Sequence, residues 1–353
     1  MASNPEALIL RIIKTKTTKS ILFIILIFAS LPGYSSNKAT ENELSFDKWI
    51  DRIRTQAFLK GISSPTLDSV FQNTQQIPDV IQSTQQNQKK NNSFEFFLND
   101  DIIFNSKNKL NKYSDILFEI QHLFGVDREV IIAVAAIVNQ QASRQVHYPA
   151  IDVLSNLSYI HPRNQRFQQE IIQALKIVDE GQANSNQLKS NHSGMLGQVQ
   201  FKPSVFREFA VDFDGDGKYD IWHNQSDILA SIANYLTSVG WQNEQNWGWE
   251  ISLPIDFDYS MITLNHQKSI NQWQARGVRK FDGSNLEFST NMSTIIETNL
   301  NGEKKWYLVF ENYFTLLRWN RSDSFALTVC LLLDKLKPKI ESSDEPMASF
   351  PNP

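Results

Sequence analysis

The segment Gly125-Val126-Asp127-Arg128-Glu129-Val130-Ile131-Ile132-Ala133-Val134-Ala135-Ala136-Ile137-Val138-Asn139-Gln140-Gln141-Ala142 decides how this chain is read. From Val130 to Val138 it holds no polar side chain, and apolar positions recur at helical intervals from Ile116 onward. That pattern predicts core helix from Ile116 to Ala142. The residues one turn from Val138, namely Val134, Ala135, Gln141 and Ala142, carry no ionisable group. Asp127 and Glu129 lie more than two turns back along the same helix. Asp152 and Glu170 belong to later segments. The C-terminal end of this helix is therefore predicted to have no local group that can give or take a proton.

Working outward, the N-terminal residues 1–36 have the composition of an export signal. Arg11, Lys14, Lys16 and Lys19 precede the apolar run Ile21 to Ala29, and small residues follow with a cut expected after Ser35. The run is shorter than the ~20 apolar residues that a membrane span needs. The segment predicts export, to the periplasm, with an uncleaved N-terminal membrane anchor as the alternative. The chain has 353 residues, 41% of them hydrophobic, enough for a sizeable core. A net charge of -4 gives no basic footprint for a phosphate backbone, so no nucleic-acid partner is expected. Cys330 is the single cysteine, which excludes an intrachain disulfide. It lies within the apolar run Phe325 to Leu333, expected to be a buried terminal helix.

Helical spacing also marks Phe46 to Phe71, through Trp49, Ile53, Ala57, Phe58 and Ile62, and again Arg166 to Val178. The polar tract Gln82 to Asn92 is expected to be a surface connection. From Ile251 the pattern changes: Trp306-Tyr307-Leu308-Val309-Phe310 is a strand candidate, and Gly302 before it suits a hairpin turn.

Two further stretches carry chemistry. Ser193 to Phe206 places Gly194 and Gly197 where a backbone can turn close to a ligand, with Gln200 offering a donor and an acceptor. Next, Asp212-Phe213-Asp214-Gly215-Asp216-Gly217 has the D-x-D-x-D-G spacing of a calcium loop. Its twelfth position is His223, where a standard EF-hand has a bidentate Glu.

These stretches together resemble the lytic murein transglycosylase B family. The helix at 125–142 is similar to that family's active-site helix, which ends in a Gly-Ile-Glu-Thr-type motif; here the matching residues are Ala136-Ile137-Val138-Asn139. Gly194, Gly197, Gln200, Phe201, Pro203 and Ser204 match its Gly-Ala-Met-Gly-x-x-Gln-Phe-Met-Pro-Ser motif. Further similar segments are Ala230 to Leu236 with Gly240-Trp241, Gly277-Val278-Arg279 ahead of Asp282-Gly283, and Leu317 to Ser322, so the likeness runs from about Phe46 to Lys337.

The resemblance implies a mainly α (α+β) fold, with a lysozyme-like core, a surrounding helical domain and a small β part. The implied organisation is a helical region at 42–114, a transglycosylase core at 115–249 and a C-terminal region at 250–353 with a β hairpin and a terminal helix. It implies a glycan groove lined by Gln200, Tyr235, Trp319 and Asn320, with core packing as the competing role for Tyr235. Asn191 departs from the family's usual serine. An EF-hand-like loop over 212–227 is implied, in which Asp212, Asp214, Asp216, the Lys218 carbonyl and a closing Asp227 hold structural Ca2+.

In such enzymes one glutamate protonates the glycosidic oxygen between N-acetylmuramic acid and N-acetylglucosamine, then deprotonates the muramoyl 6-hydroxyl so that a 1,6-anhydro ring closes. Val138 stands at that position, so no catalytic residue is assigned. The leading expectation is a peptidoglycan-binding protein with impaired catalysis that competes with or positions active wall enzymes. The alternatives are an active lytic transglycosylase using another acid, and a non-catalytic protein-interaction scaffold.

Overall fold

The computed structural model describes residues 44–87, 98–142, 147–243, 245–264, 266–300 and 302–337; the leader at 1–36 and residues 88–92 of the polar tract lie outside them. The predicted helix from Ile116 to Ala142 is two helices. The first, α5, spans Ser114–Phe124 and follows α4, Asp100–Lys112. Gly125 ends α5 in the left-handed conformation at φ +64, its N–H donating to the Gln121 carbonyl. Only a residue without a Cβ takes that turn at no steric cost. The second, α6, runs Arg128–Ala142. Apolar residues on both sides of Gly125 hid the break from a periodicity count.

Val130, Ile131, Ile132, Ala133, Val134 and Ile137 of α6 are fully buried. Four helices pack on it: α4, α5, α10 (Gln225–Ser238) and α13 (Asp323–Leu336). Each buried Ile or Val stabilises the fold by about 1.5–3 kcal/mol relative to exposure, so this helix is the anchor of the core. Cys330 on α13 is buried as expected, and burial pushes its thiol well above the ordinary value.

A helical layer packs on this centre: α1 (Phe46–Leu59), α2 (Ser64–Phe71), α3 (Pro78–Asn87), α7 (Ala150–Ile160), α8 (Gln165–Asp179) and the short α9 (Pro203–Phe209). Trp49 of α1 is buried and its Nε1 donates to Ser158 Oγ of α7 at 2.9 Å. The polar tract is partly helical, since α3 continues to Asn87. Pro78 starts that helix, and Val80, fully buried beside Val153 and Leu157, holds it. Its anchor thus lies upstream of the polar residues.

The β part is larger than one hairpin. A two-stranded antiparallel ribbon pairs β1, Tyr148–Pro149, with β2, Lys189–Ser190. A five-stranded antiparallel sheet has the order β4-β6-β7-β3-β5, with β3 at Gly248–Ser252, β4 at Lys268–Ser269, β5 at Arg279–Lys280, β6 at Met292–Leu300 and β7 at Glu303–Val309. The expected strand is β7, and the turn at Gly302 pairs it with β6. Helix α11 (Ile270–Ala275) covers the sheet, and Ile251, Phe257, Trp273, Ile295 and Leu308 form a second apolar cluster separate from the main core.

Candidate functional site

Val138 is 3% exposed and belongs to the main apolar cluster. The next residue, Asn139, is half-buried and turns toward the loop that follows Gly194. Its Nδ2 donates to Gln198 Oε1 at 2.5 Å, and Gln198 Nε2 donates to the Trp222 carbonyl at 2.7 Å. This neutral amide chain occupies the end of α6.

Gly197 positions the loop. It sits at φ +61, and a Cβ there would lie 2.6 Å from the Ile221 carbonyl oxygen and 2.7 Å from Ile221 Cγ1. Both the backbone conformation and the space therefore require glycine. The Gln198 N–H donates to that same carbonyl at 2.9 Å, tying the loop to the segment before Trp222. Leu196 and Phe201 pair through both backbone hydrogen bonds and close the loop, with Gln200 inside it at φ +52.

A cleft of 720 Å³ opens beside Asn139, Gly197, Gln198 and Trp222. Trp222 is fixed by its Nε1, which donates to the Lys189 carbonyl at 2.9 Å. Among the described residues that line the cleft, His147, Lys189 and His223 are titratable and none carries a carboxyl group. His223 Nδ1 lies 3.4 Å from Asp220 Oδ1.

The groove residues expected from the sequence gather elsewhere. Tyr235 on α10 meets Trp319, the last residue of α12 (Glu311–Trp319), edge-on at 4.8 Å; Phe201 lies 5.8 Å from Tyr235 and 5.2 Å from Trp319. Tyr235 is 9% exposed and donates its hydroxyl to the Arg318 carbonyl at 2.8 Å; burial raises its pKa. Gln200 and Asn320 are half-buried beside this aromatic group, one preceding Phe201 and the other following Trp319. None of the four lines the 720 Å³ cleft. Asn191 is buried, and its Oδ1 accepts from the N–H groups of Ser193 and Met195, so it shapes the loop. Sequence reasoning missed Asn139, Gln198 and Trp222, although Asn139 stands at an altered motif position.

In the acidic loop, carboxylate oxygens of Asp212, Asp214 and Asp227 lie within 4.8 Å of one another. Asp227 is fully buried and accepts from the N–H groups of Phe213 and Asp220, both at 2.8 Å. Burial, with the neighbouring Asp214 and Asp212 charges adding to it, pushes its pKa up to about 7. Asp212 accepts from the Gly217 N–H at 3.0 Å. Asp216 is exposed and accepts from the Lys218 N–H at 2.8 Å, outside the cluster of three. Converging hard oxygen donors around a buried carboxylate suit a divalent cation such as calcium.

The family described as transglycosylase SLT domain matches residues 45–334. The chain is 25% identical over 246 residues to the membrane-bound lytic murein transglycosylase B of Escherichia coli strain K12; this covers 66% of the chain and 63% of the relative's length. It is also similar to SltB3 of Pseudomonas aeruginosa, solved in complex with NAG-NAM-pentapeptide, with a TM-score of 0.75 and 31% identity over 83% of this chain and 79% of that one. Escherichia coli SLT35, solved in complex with calcium, shares the fold at a TM-score of 0.68 and 22% identity, covering 85% of this chain and 94% of that one. The family match takes in α6, the Gly194–Phe201 loop and the acidic loop: this chain belongs to the family of the transglycosylase SLT domain.

Proposed function

We propose that this protein is an exported peptidoglycan-binding member of the lytic transglycosylase family in which catalysis is impaired. The observation that carries the reading is the burial of Val138, which the resemblance sets at the family acid's position, next in sequence to Asn139 of a cleft whose described lining has no carboxyl group. Each assisted proton transfer contributes roughly 10²–10⁴ in rate, and the family's reaction needs two from one acid. A valine supplies neither. Binding is a separate matter, because amides and aromatic rings serve sugar hydroxyl and acetamido groups without any proton transfer. The SltB3 complex, at 31% identity, supports a glycan strand as the ligand. A bound strand withheld from cleavage would place this protein in competition with active wall enzymes, or position them.

The test incubates purified protein with peptidoglycan. Retention on the insoluble wall without release of 1,6-anhydromuropeptides is the expected result. Release at a rate like that of an active relative would overturn the impairment, and failure to bind would favour a protein-interaction scaffold.

Calcium is the proposed cation of the acidic loop, held by Asp212, Asp214 and Asp227, with Asp216 and the Lys218 carbonyl as the further ligands that the spacing predicts. The ion would order the loop and take no part in bond cleavage. Calcium at ~100 times its Kd should stabilise the fold by about 2.7 kcal/mol, read as a melting temperature several degrees higher, and Asp214→Ala should abolish the rise. The sign with pH follows from Asp227. Its raised folded-state pKa makes its contribution to the metal-free fold fullest at acid pH and lost as pH climbs through about 7. Protons compete with the ion over the same window, so the calcium-dependent rise should be larger at pH 8 than at pH 6. An equal rise at both would remove Asp227 from the ligand set. Among the described residues, no helix is long and apolar enough to cross a membrane.

A further inference from the structure

A second cleft opens between the sheet and the segment that follows α10. Its volume is 560 Å³. Its floor is Trp249 and Phe310, packed edge-on at 4.7 Å, with the Lys280 ammonium 5.0 Å from the Trp249 ring centre. Phe288 borders it and is 88% exposed, an arrangement that leaves a large apolar ring in water.

The loop that carries Phe288 is held in place by hydrogen bonds. Asn271 and Ser289 are joined twice, the Ser289 N–H donating to Asn271 Oδ1 at 3.0 Å and the Asn271 N–H donating to the Ser289 carbonyl at 3.3 Å. The Asn291 N–H donates to Ser289 Oγ at 3.1 Å, and the Ile270 N–H donates to the Asn291 carbonyl at 3.2 Å. Phe288 therefore stands beside an apolar floor because its backbone is pinned there.

The opposite wall is polar and equally fixed. Buried Asn312 accepts from the Gln242 N–H and donates to the Gln242 and Gln245 carbonyls, each at 2.8 Å. The side chains of Gln242, Gln245 and Asn246 are exposed and have no hydrogen-bond partner among the described residues. The two carboxylates at the rim are already paired, Glu287 with Lys280 at 3.0 Å and Glu311 with Arg318 at 2.7 Å.

We propose that this cleft is an accessory saccharide-binding site, in which a neutral sugar ring lies between Phe288 and the Trp249–Phe310 floor and hydrogen-bonds to the amide wall. The proposal rests on the glycan-binding reading above and extends it to a second site. Aromatic faces receive the C–H face of a sugar, and carboxamides supply both donors and acceptors to its hydroxyl rim. Paired rim charges leave nothing to select an ion, and an amide wall disfavours a purely apolar guest. Glu311 starts α12 and Trp319 ends it, so at 1.5 Å per residue the cleft is about 12 Å along the helix from the Tyr235–Trp319 cluster. A glycan strand can reach both; a disaccharide held at the first cannot.

The experiment compares calorimetric titrations of the full protein, Phe288→Ala and Gln245→Ala with long peptidoglycan glycan strands and with the GlcNAc-MurNAc disaccharide. Both substituted side chains are exposed, so unchanged melting temperatures are expected and serve as the folding control. Each variant should weaken strand binding about five- to tenfold, the scale of one aromatic or amide contact, while leaving disaccharide binding as in the parent. Strand binding equal to the parent in both variants overturns the accessory site and leaves the main reading standing. A parent that binds no strand overturns both. Equal weakening for strand and disaccharide also overturns the proposal, because it would make this cleft part of the primary site.

Discussion

Val138→Glu is expected to destabilise the protein by about 3 kcal/mol at pH 8, the cost of an unpaired carboxylate in an apolar site. The parent side chain is 3% exposed within the main core. Its polar neighbours, Asn139 and Gln198, are bonded to each other and onward to the Trp222 carbonyl, so they offer no ready partner. The loss should shrink toward acid pH. A buried carboxyl has a folded-state pKa above the unfolded value, so the protonated form is favoured by folding below that pKa and the variant loses stability as pH rises through it. Val138→Gln should destabilise without this added pH dependence. Denaturant unfolding of parent and both variants at pH 5 and pH 8 measures the effect as a difference from the parent at each pH. A Val138→Glu variant as stable as the parent at pH 8 would mean that the carboxylate reaches water or a partner, as an enzyme's acid must. The same variant should then be assayed for anhydromuropeptide release, since recovered turnover would show that the rest of the catalytic frame is intact.

What could be read in the sequence depended on range. The helix around Val134 was legible because nine successive apolar residues have few other homes, and the β7 strand because Trp306 to Phe310 combines β-branched and aromatic residues next to a glycine turn. The break at Gly125 was hidden, since apolar periodicity continues across it while the backbone reverses hand. Carboxylate convergence followed from the D-x-D-x-D-G spacing, but which aspartates face inward did not: Asp216 turns to the Lys218 N–H and Asp227 arrives from another helix. The cleft was least legible of all. Asn139, Gln198 and Trp222 come from three segments, joined by the Asn139–Gln198 hydrogen bond and by the close approach of Gly197 to Ile221. Tyr235 illustrates the reverse difficulty, a residue whose ring packs with core aromatics and whose hydroxyl is already bound to the Arg318 carbonyl.

Trp273→Ala, in the helix that covers the sheet, should be the most damaging single truncation in the β part, costing about 3–5 kcal/mol through the cavity it leaves. Trp273 is fully buried among Ile251, Phe257, Ile295 and Leu308, and its Nε1 donates to the Ser293 carbonyl at 3.2 Å, so the variant also strands a buried acceptor. Because these residues form a cluster apart from the one around α6, the damage should be local. Hydrogen exchange followed by mass spectrometry is expected to show faster exchange in β6 and β7, with α6 protected as in the parent. The calcium-dependent rise in melting temperature should persist, since the acidic loop belongs to the main core, whereas strand binding through the Phe288 cleft should be lost with its Trp249 and Phe310 floor. Equal acceleration of exchange in α6 and β7 would instead mean that the two clusters unfold as one unit. In that case the sheet would be part of what holds Val138 buried, and changes at either site would have to be read as changes to both.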